Sequence, residues 1–193
     1  MLWATQSGAL ELRSEGGETR LSGRFPYGRE TILRPAGQGG PELREVFAPR
    51  AFATGMENRN VYLLAGHDFA KPMASIGAGS LDVTDTADAL VIEARIAPGI
   101  AGASYVADIL AGIKSGLTVG LSPGFRVSPD PSAETIRRTG NAVLRTVNAA
   151  ILEEISIVTR PAYPAAQIEA RSWQAGGEPP DAGVMRHLAR WRL

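Results

Sequence analysis

The chain has 193 residues, a length that suits one domain with or without tails and can bury a sizeable core. Its 20 basic and 20 acidic residues balance, so the net charge predicts no affinity for nucleic acid or an anionic membrane. Cysteine is absent and there are two histidines, His67 and His187. This composition excludes disulfides, thiolate metal sites, a cysteine nucleophile and any three-histidine site.

No apolar run approaches the ~20 residues of a membrane span, and the first residues lack the basic and apolar regions of a secretory signal. We therefore expect a cytoplasmic protein, or one acting inside an assembly built there, with no membrane partner. The 22 glycines and 13 prolines indicate frequent turns and favour a β-rich architecture with short strands.

Apolar alternation and short apolar runs predict strands along most of the chain. In chain order these lie at 2–13 (a strand or an arm), 21–27, 61–65, 76–81, 90–96, 117–127, 143–147 and 151–158. Turns or loops are predicted at 35–41, 82–88 and 130–141, the first because of its glycine and proline content. One helix is predicted over 103–114, where apolar residues recur at helical spacing and Gly116 follows as a stop signal.

The composition changes after Arg171. Residues 172–183 (SWQAGGEPPDAG) resemble a linker in composition. In 184–193 apolar residues lie at helical spacing among arginines, which predicts a short basic amphipathic tail. The expected organisation is therefore a domain over 1–171, a linker over 172–183 and a tail over 184–193.

Two residues at strand positions are candidates for chemistry. His67 directly follows an apolar strand, a place where a rigid element presents a side chain to solvent. The alternative is a hydrogen-bonded structural histidine. Ser122 stands between Leu121 and Pro123, with Gly120 and Gly124 leaving room for a substrate backbone to approach. The alternative here is a strand with a glycine–proline bulge.

Glu153 and Glu154 are adjacent in an apolar strand, so alternation predicts that they point to opposite faces. One is then solvated, and the other needs a partner, for which a histidine is suitable. A serine needs a base to take its proton, and the imidazole needs a third group to orient it. The pattern alone leaves Asp68 open as the partner of His67 and Ser156 open as the nucleophile.

Four blocks in order resemble the tailed-phage prohead proteases, to which enzymes of gene transfer agents are similar. The blocks are 47–52 (FAPRAF), 63–68 (LLAGHD), 116–125 (GLTVGLSPGF) and 152–166 (LEEISIVTRPAYPAA). Each is short, and their ordered occurrence across roughly residues 20–170 makes the match specific. The family is related to the herpesvirus assemblins.

The resemblance implies a mostly antiparallel β-barrel of the assemblin type with flanking helices. It implies a serine endopeptidase with Ser122 as nucleophile, His67 as general base and Glu154 as third member, without a cofactor or metal. The substrate would be a separate scaffold protein or the scaffolding segment of the major capsid protein. Cleavage would take place inside the immature capsid in the host cytoplasm.

Two departures from the family pattern bear on this assignment. Arg50 stands where the family often has glycine, which affects a turn. Pro123 has no N–H, so the residue after Ser122 cannot donate to an oxyanion, and an esterase-type site is disfavoured. In assemblins an arginine-bearing loop supplies this donor, and Arg160 is the corresponding candidate here.

Two other functions are open at this stage. One is a catalytically inactive capsid assembly or binding module of the same fold, against which the joint presence of Ser122, His67 and Glu154 counts. The other is a general small hydrolase, which the absence of a Gly-x-Ser-x-Gly motif disfavours. The sequence leaves open whether the protein forms a homo-oligomer, and it predicts no nucleic-acid partner.

Overall fold

The computed structural model describes residues 10–15, 18–37, 40–56, 59–117 and 120–159. In these ranges the chain forms twelve strands and two helices. The strands are β1 (Leu10–Glu15), β2 (Glu18–Pro26), β3 (Thr31–Arg34), β4 (Glu42–Phe47), β5 (Tyr62–Ala65), β6 (Asp68–Ser75), β7 (Leu81–Asp85), β8 (Ala89–Ile96), β9 (Gly120–Val127), β10 (Glu134–Thr139), β11 (Ala142–Val147) and β12 (Ala150–Val158). The helices are α1 (Pro98–Ala101) and α2 (Ser104–Lys114).

The described strands form three four-stranded sheets. Sheet A has the order β1-β2-β8-β7, sheet B the order β10-β11-β4-β3 and sheet C the order β6-β5-β12-β9. Seven of the nine described pairings are antiparallel, and the two parallel ones join β11 to β4 and β12 to β5. The parallel pairing in sheet C brings together chain segments that are far apart in sequence.

The main hydrophobic core of the described residues lies between the sheets. Alternate residues of the strands enter it, such as Ile92 and Ile96 from sheet A and Leu63, Ile155 and Ile157 from sheet C. All five side chains are at most 1% exposed, and each such burial stabilises the fold by about 1.5–3 kcal/mol. The half-buried alternation predicted for residues 90–96 is confirmed, because β8 buries every second residue there.

Helix α2 covers one side of this core and confirms the helix predicted over 103–114. Val106 is fully buried, and Ile109, Leu110 and Ile113 pack against the core from the same face. Lys114 lies in the last turn, where a cation interacts favourably with the helix dipole.

Three predicted elements are wrong. Residues 76–79 form a turn rather than a strand, because Gly79 adopts a φ of 65° and its N–H bonds the carbonyl of Ile76 at 2.8 Å. The adjoining segment expected as an acidic turn contains the strand β7, whose Leu81 is buried while Asp82 is exposed. The loop expected over 130–141 contains β10, whose polar composition suits an edge strand with almost no buried residue.

The β-rich class is confirmed, but the expected barrel is not. Among the described residues the strands fall into three separately hydrogen-bonded sheets, and core packing rather than a closed ring of strands holds those sheets together. The expected linker at 172–183 and basic tail at 184–193 lie outside the described residues. In the described part of the chain, no helix has the length and apolar character to span a membrane.

Candidate active site

His67 lies in the tight turn between β5 and β6. Ala65 and Asp68 pair across this turn, which leaves Gly66 and His67 as its two central residues. Their φ angles are 65° and 62°, as a two-residue hairpin with positive φ at both positions requires. The turn therefore holds His67 at the end of a rigid strand, with its side chain 20% exposed.

Glu154 contacts the imidazole of His67. Its Oε1 lies 2.7 Å from His67 Nδ1, a distance typical of a charge-assisted hydrogen bond. The parallel pairing of β12 with β5 sets Glu154 beside Tyr62 at the start of β5 and Ser156 beside Leu64, nearer the turn that carries His67. When the carboxylate accepts a hydrogen bond from Nδ1–H, the other ring nitrogen, Nε2, is left unprotonated and can act as the proton acceptor.

A β-bulge in β12 determines the face on which Glu154 lies. Leu152 and Glu154 pair with consecutive residues of β9, so Glu153 is the extra residue of the bulge. Before the bulge Ala150 and Leu152 enter the core, and after it Ile155 and Ile157 do so. Glu154 thereby lies on the face opposite the core, where simple alternation from Leu152 would have directed it inward.

The other two candidate carboxylates have different partners. Glu153 accepts hydrogen bonds from Arg126 Nε at 2.7 Å and from Arg59 Nη1 at 3.2 Å. Asp68 accepts from the backbone N–H of Ala70 at 2.9 Å and pairs with the adjacent Lys71 ammonium. The Ala70 N–H, followed by the lysine, holds the pKa of Asp68 below its usual value. Asp68 thus serves its local turn rather than His67 among the bonds described for it.

Ser156 bonds to both members of the His67–Glu154 pair. Its hydroxyl donates to Glu154 Oε2 at 2.6 Å and accepts from the backbone N–H of His67 at 2.8 Å. Ser122 lies directly across the sheet, because Ser156 and Ser122 are register partners in β12 and β9. Directly opposite residues have Cβ atoms about 4.5–5.5 Å apart, so the Ser122 side chain lies beside this network.

Burial differs across the group. Ser156 is 0%, Ser122 1% and Glu154 2% exposed, so the imidazole is the part of the group that reaches the surface. Arg160 lies outside the described residues. Within the described part of the chain, no group of three or more histidine and acidic side chains has an arrangement suited to a metal ion.

Two contributions to this arrangement were missed in the sequence. The sequence leaves Ser156 open as a rival nucleophile, whereas the structure makes it a partner of His67 and Glu154. Its spacing from Glu154 on one strand, which puts both on one face, is the signal for this role. The sequence also predicts that Gly124 leaves room for a substrate backbone. Its missing Cβ instead makes room for the Glu154 side chain.

The group can support acyl transfer. In such transfer an imidazole takes the proton of a serine hydroxyl while a carboxylate stabilises the resulting imidazolium, and these three kinds of group lie near one another here. Because Pro123 offers no N–H, an oxyanion donor has to come from elsewhere.

Comparison with protein families gives an independent result. Residues 31–178, about three-quarters of the chain, match the family of caudovirus prohead serine proteases. Neither the curated proteins nor the solved structures contain a significant match. The matched range includes all of the strands β3 to β12 that build the group around His67. The chain belongs to the caudovirus prohead serine protease family.

Proposed function

We propose that this chain is a serine endopeptidase that cleaves a scaffold protein, or the scaffolding segment of the major capsid protein, during maturation of a phage-like prohead. Membership of the prohead serine protease family implies a serine peptidase with a capsid or scaffold substrate. The observation that carries the chemical part is the 2.7 Å contact between His67 Nδ1 and Glu154 Oε1, beside the strand that bears Ser122.

In the proposed reaction Ser122 Oγ attacks the carbonyl carbon of the scissile peptide bond while His67 Nε2 takes the hydroxyl proton. The imidazolium then gives this proton to the leaving amine as the C–N bond breaks and an acyl-enzyme forms. Water, deprotonated by the same nitrogen, hydrolyses the ester and regenerates Ser122. Glu154 remains ionised throughout and stabilises the imidazolium through Nδ1–H.

The geometry also supports a direction of approach for the substrate. Ser122 is buried, whereas the side chain of His67 is partly exposed at the turn between β5 and β6. The peptide would therefore enter from the His67 side. Cleavage inside the immature capsid supplies substrate at high local concentration, which offsets the limited access.

Arg160 remains the proposed source of the oxyanion donor, on the resemblance to assemblins alone. Arg160→Ala is expected to lower the turnover number about 100-fold, as the removal of one oxyanion donor does in other serine peptidases. A variant with near-normal turnover and a normal pH profile would remove Arg160 from the mechanism.

The experiment that tests the function is co-expression with the major capsid protein of the same phage-like element, followed by intact-mass measurement of both proteins. Wild type is expected to yield a shortened capsid protein, and Ser122→Ala a full-length one. Ser75→Ala is a matched control, because Ser75 is also a buried serine on a strand. The one hydrogen bond described for its hydroxyl comes from the backbone N–H of Ala78 in the following turn.

The outcomes separate the competing functions. Full-length capsid protein with wild type, despite co-assembly, would favour an inactive assembly or binding module. Equal cleavage by wild type and Ser122→Ala would retain the peptidase but remove Ser122 as its nucleophile.

A further inference from the structure

The hydroxyl of Ser156 connects strand β12 to the turn that carries His67 through two hydrogen bonds. It lies on β12, donates to the Glu154 carboxylate on the same strand, and accepts from the backbone N–H in the turn between β5 and β6. Across the sheet it is paired with Leu64 on one side and Ser122 on the other.

The contacts of Ser156 do not suit a nucleophile. Its proton is directed to a carboxylate, which is a weak base compared with an imidazole. The nearby ring nitrogen Nδ1 of His67 is itself engaged with Glu154 and cannot serve as that base. Burial does not distinguish the two serines, since Ser156 is 0% and Ser122 1% exposed, so the case against Ser156 as nucleophile rests on these hydrogen-bond partners.

We propose that Ser156 is a positioning residue that holds Glu154 and His67 in register with Ser122. This assignment rests on the proposed function, in which those three residues carry the chemistry. The two hydrogen bonds act on different degrees of freedom. The bond to Glu154 Oε2 fixes the rotation of the carboxylate so that Oε1 faces the imidazole.

The second bond fixes the turn. His67 has a φ of 62°, in the left-handed region that side chains other than glycine rarely adopt. Its backbone N–H finds an acceptor in Ser156 Oγ at 2.8 Å, so the strained turn is tied directly to β12. Catalytic groups need to be held within about 0.5 Å of their productive geometry, and this bond couples the position of the imidazole to the strand that carries its carboxylate partner.

The test uses the full chain and a fluorophosphonate probe, because the natural substrate is unidentified. An activated serine displaces fluoride from phosphorus, so the rate of adduct formation reports nucleophile activation and peptide mapping identifies the serine. Ser156→Ala removes both hydrogen bonds, and Ser156→Thr retains the hydroxyl. Ser75→Ala is the control. It removes a buried serine hydroxyl that accepts a 3.1 Å hydrogen bond from the backbone N–H of Ala78, away from His67.

We expect the adduct on Ser122 in every variant. Ser156→Ala should slow its formation about 10- to 100-fold, the loss expected when hydrogen bonds to a buried charged group are removed. Ser156→Thr should recover part of the rate, and Ser75→Ala should match wild type. The acid limb of the pH–rate profile should move to higher pH in Ser156→Ala, because the full carboxylate charge then favours the imidazolium.

A merely structural role would lower the folded fraction without moving the pH profile, so an unchanged profile and an unchanged rate per folded molecule would overturn the assignment. An adduct on Ser156 would overturn it while leaving a serine hydrolase. Absence of any adduct on folded wild type would reject the proposed function and this assignment with it.

Discussion

The carboxyl group of Glu154 lies directly over the Cα atom of Gly124. A Cβ added at Gly124 would come within 2.7 Å of Glu154 Cδ and 2.9 Å of its Cγ, closer than real Cβ contacts. The two residues are register partners on β9 and β12. The glycine two positions after Ser122 is therefore required by the carboxylate beside His67.

Gly124→Ala should displace the Glu154 side chain and so weaken its hydrogen bond with His67. We expect a loss of at least about tenfold in peptidase rate and of about 1–3 kcal/mol in the free energy of unfolding, as overpacking costs. Capsid-protein cleavage rate and urea unfolding measure the two effects. Gly99→Ala, where an added Cβ meets nothing within 4 Å, should leave the cleavage rate unchanged. Because Gly99 lies in α1, this substitution should not lower the free energy of unfolding and should raise it by up to about 1 kcal/mol.

A second control separates stability from activity. An added Cβ at Gly55 would meet the backbone at Ala150 and Ile151, away from His67. Gly55→Ala should therefore lose stability while its folded molecules retain the wild-type rate. Equal losses of rate in folded Gly124→Ala and Gly55→Ala would show that Gly124 has no special relation to the site.

Arg50 offers a prediction about stability alone. It adopts a φ of 56°, although it is not a glycine, in the turn that follows β4. This explains why the related proteases often have glycine there. Arg50→Gly should raise the free energy of unfolding by up to about 1 kcal/mol by relieving the left-handed strain, with no change in peptidase rate.

Urea unfolding measures the change in the free energy of unfolding. Arg29→Gly is the control, because Arg29 is also exposed but does not have a positive φ. Arg29→Gly should lower stability slightly through the added freedom of the unfolded chain. A matching decrease in Arg50→Gly would mean that the strain at Arg50 is negligible.

Tyr27 should make the fold sensitive to alkali. Burial raises its pKa above the usual value, and the hydrogen bond of its hydroxyl to Asp85 Oδ1 at 2.7 Å and the negative charge of Asp85 raise it further. The neutral hydroxyl is thus favoured in the folded state. Its contribution to stability is complete below the unfolded tyrosine pKa of about 10 and is lost as the pH rises above that value, since only the unfolded chain then releases the proton.

Tyr27→Phe should be less stable than wild type near neutral pH by about 1 kcal/mol, the net value of a hydrogen bond. The difference should narrow between about pH 10 and 11, where wild type loses stability faster. Urea unfolding across this range measures how steeply the free energy of unfolding falls with pH in wild type and in Tyr27→Phe. Equal slopes in the two proteins would show that Tyr27 ionises equally easily in the folded and unfolded chains.

Much of the core could be predicted from local patterns, but several strands could not. The alternation of β8 and the helical spacing in α2 each lie within a short stretch of sequence, so both elements can be predicted from that stretch alone. Strand β6 was missed because it contains Pro72 and lies at the edge of sheet C, with bulges opposite Leu64 and Ala65. Edge strands tolerate proline and polar residues because one side needs no hydrogen-bond partner.

The site likewise combines features that local sequence predicts with features that depend on long-range pairing. The types and spacing of Glu154 and Ser156 put them on one face of a strand from sequence alone. The contact of His67 with Glu154 joins residues 87 positions apart and depends on the parallel pairing of β5 with β12. The bulge at Glu153, which turns Glu154 away from the core, has no local sequence signal of the kind that glycine would provide.

Coupling between His67 and Glu154 in the activation of Ser122 is the centre of the proposed mechanism. The measurement is the rate at which a fluorophosphonate labels Ser122 in wild type, His67→Asn, Glu154→Gln and the double variant. Residues that act as one unit lose most of their effect with the first substitution. We expect the double variant to react no more slowly than His67→Asn alone. Losses that multiply in the double variant would show that the two side chains act independently and would contradict the proposed mechanism.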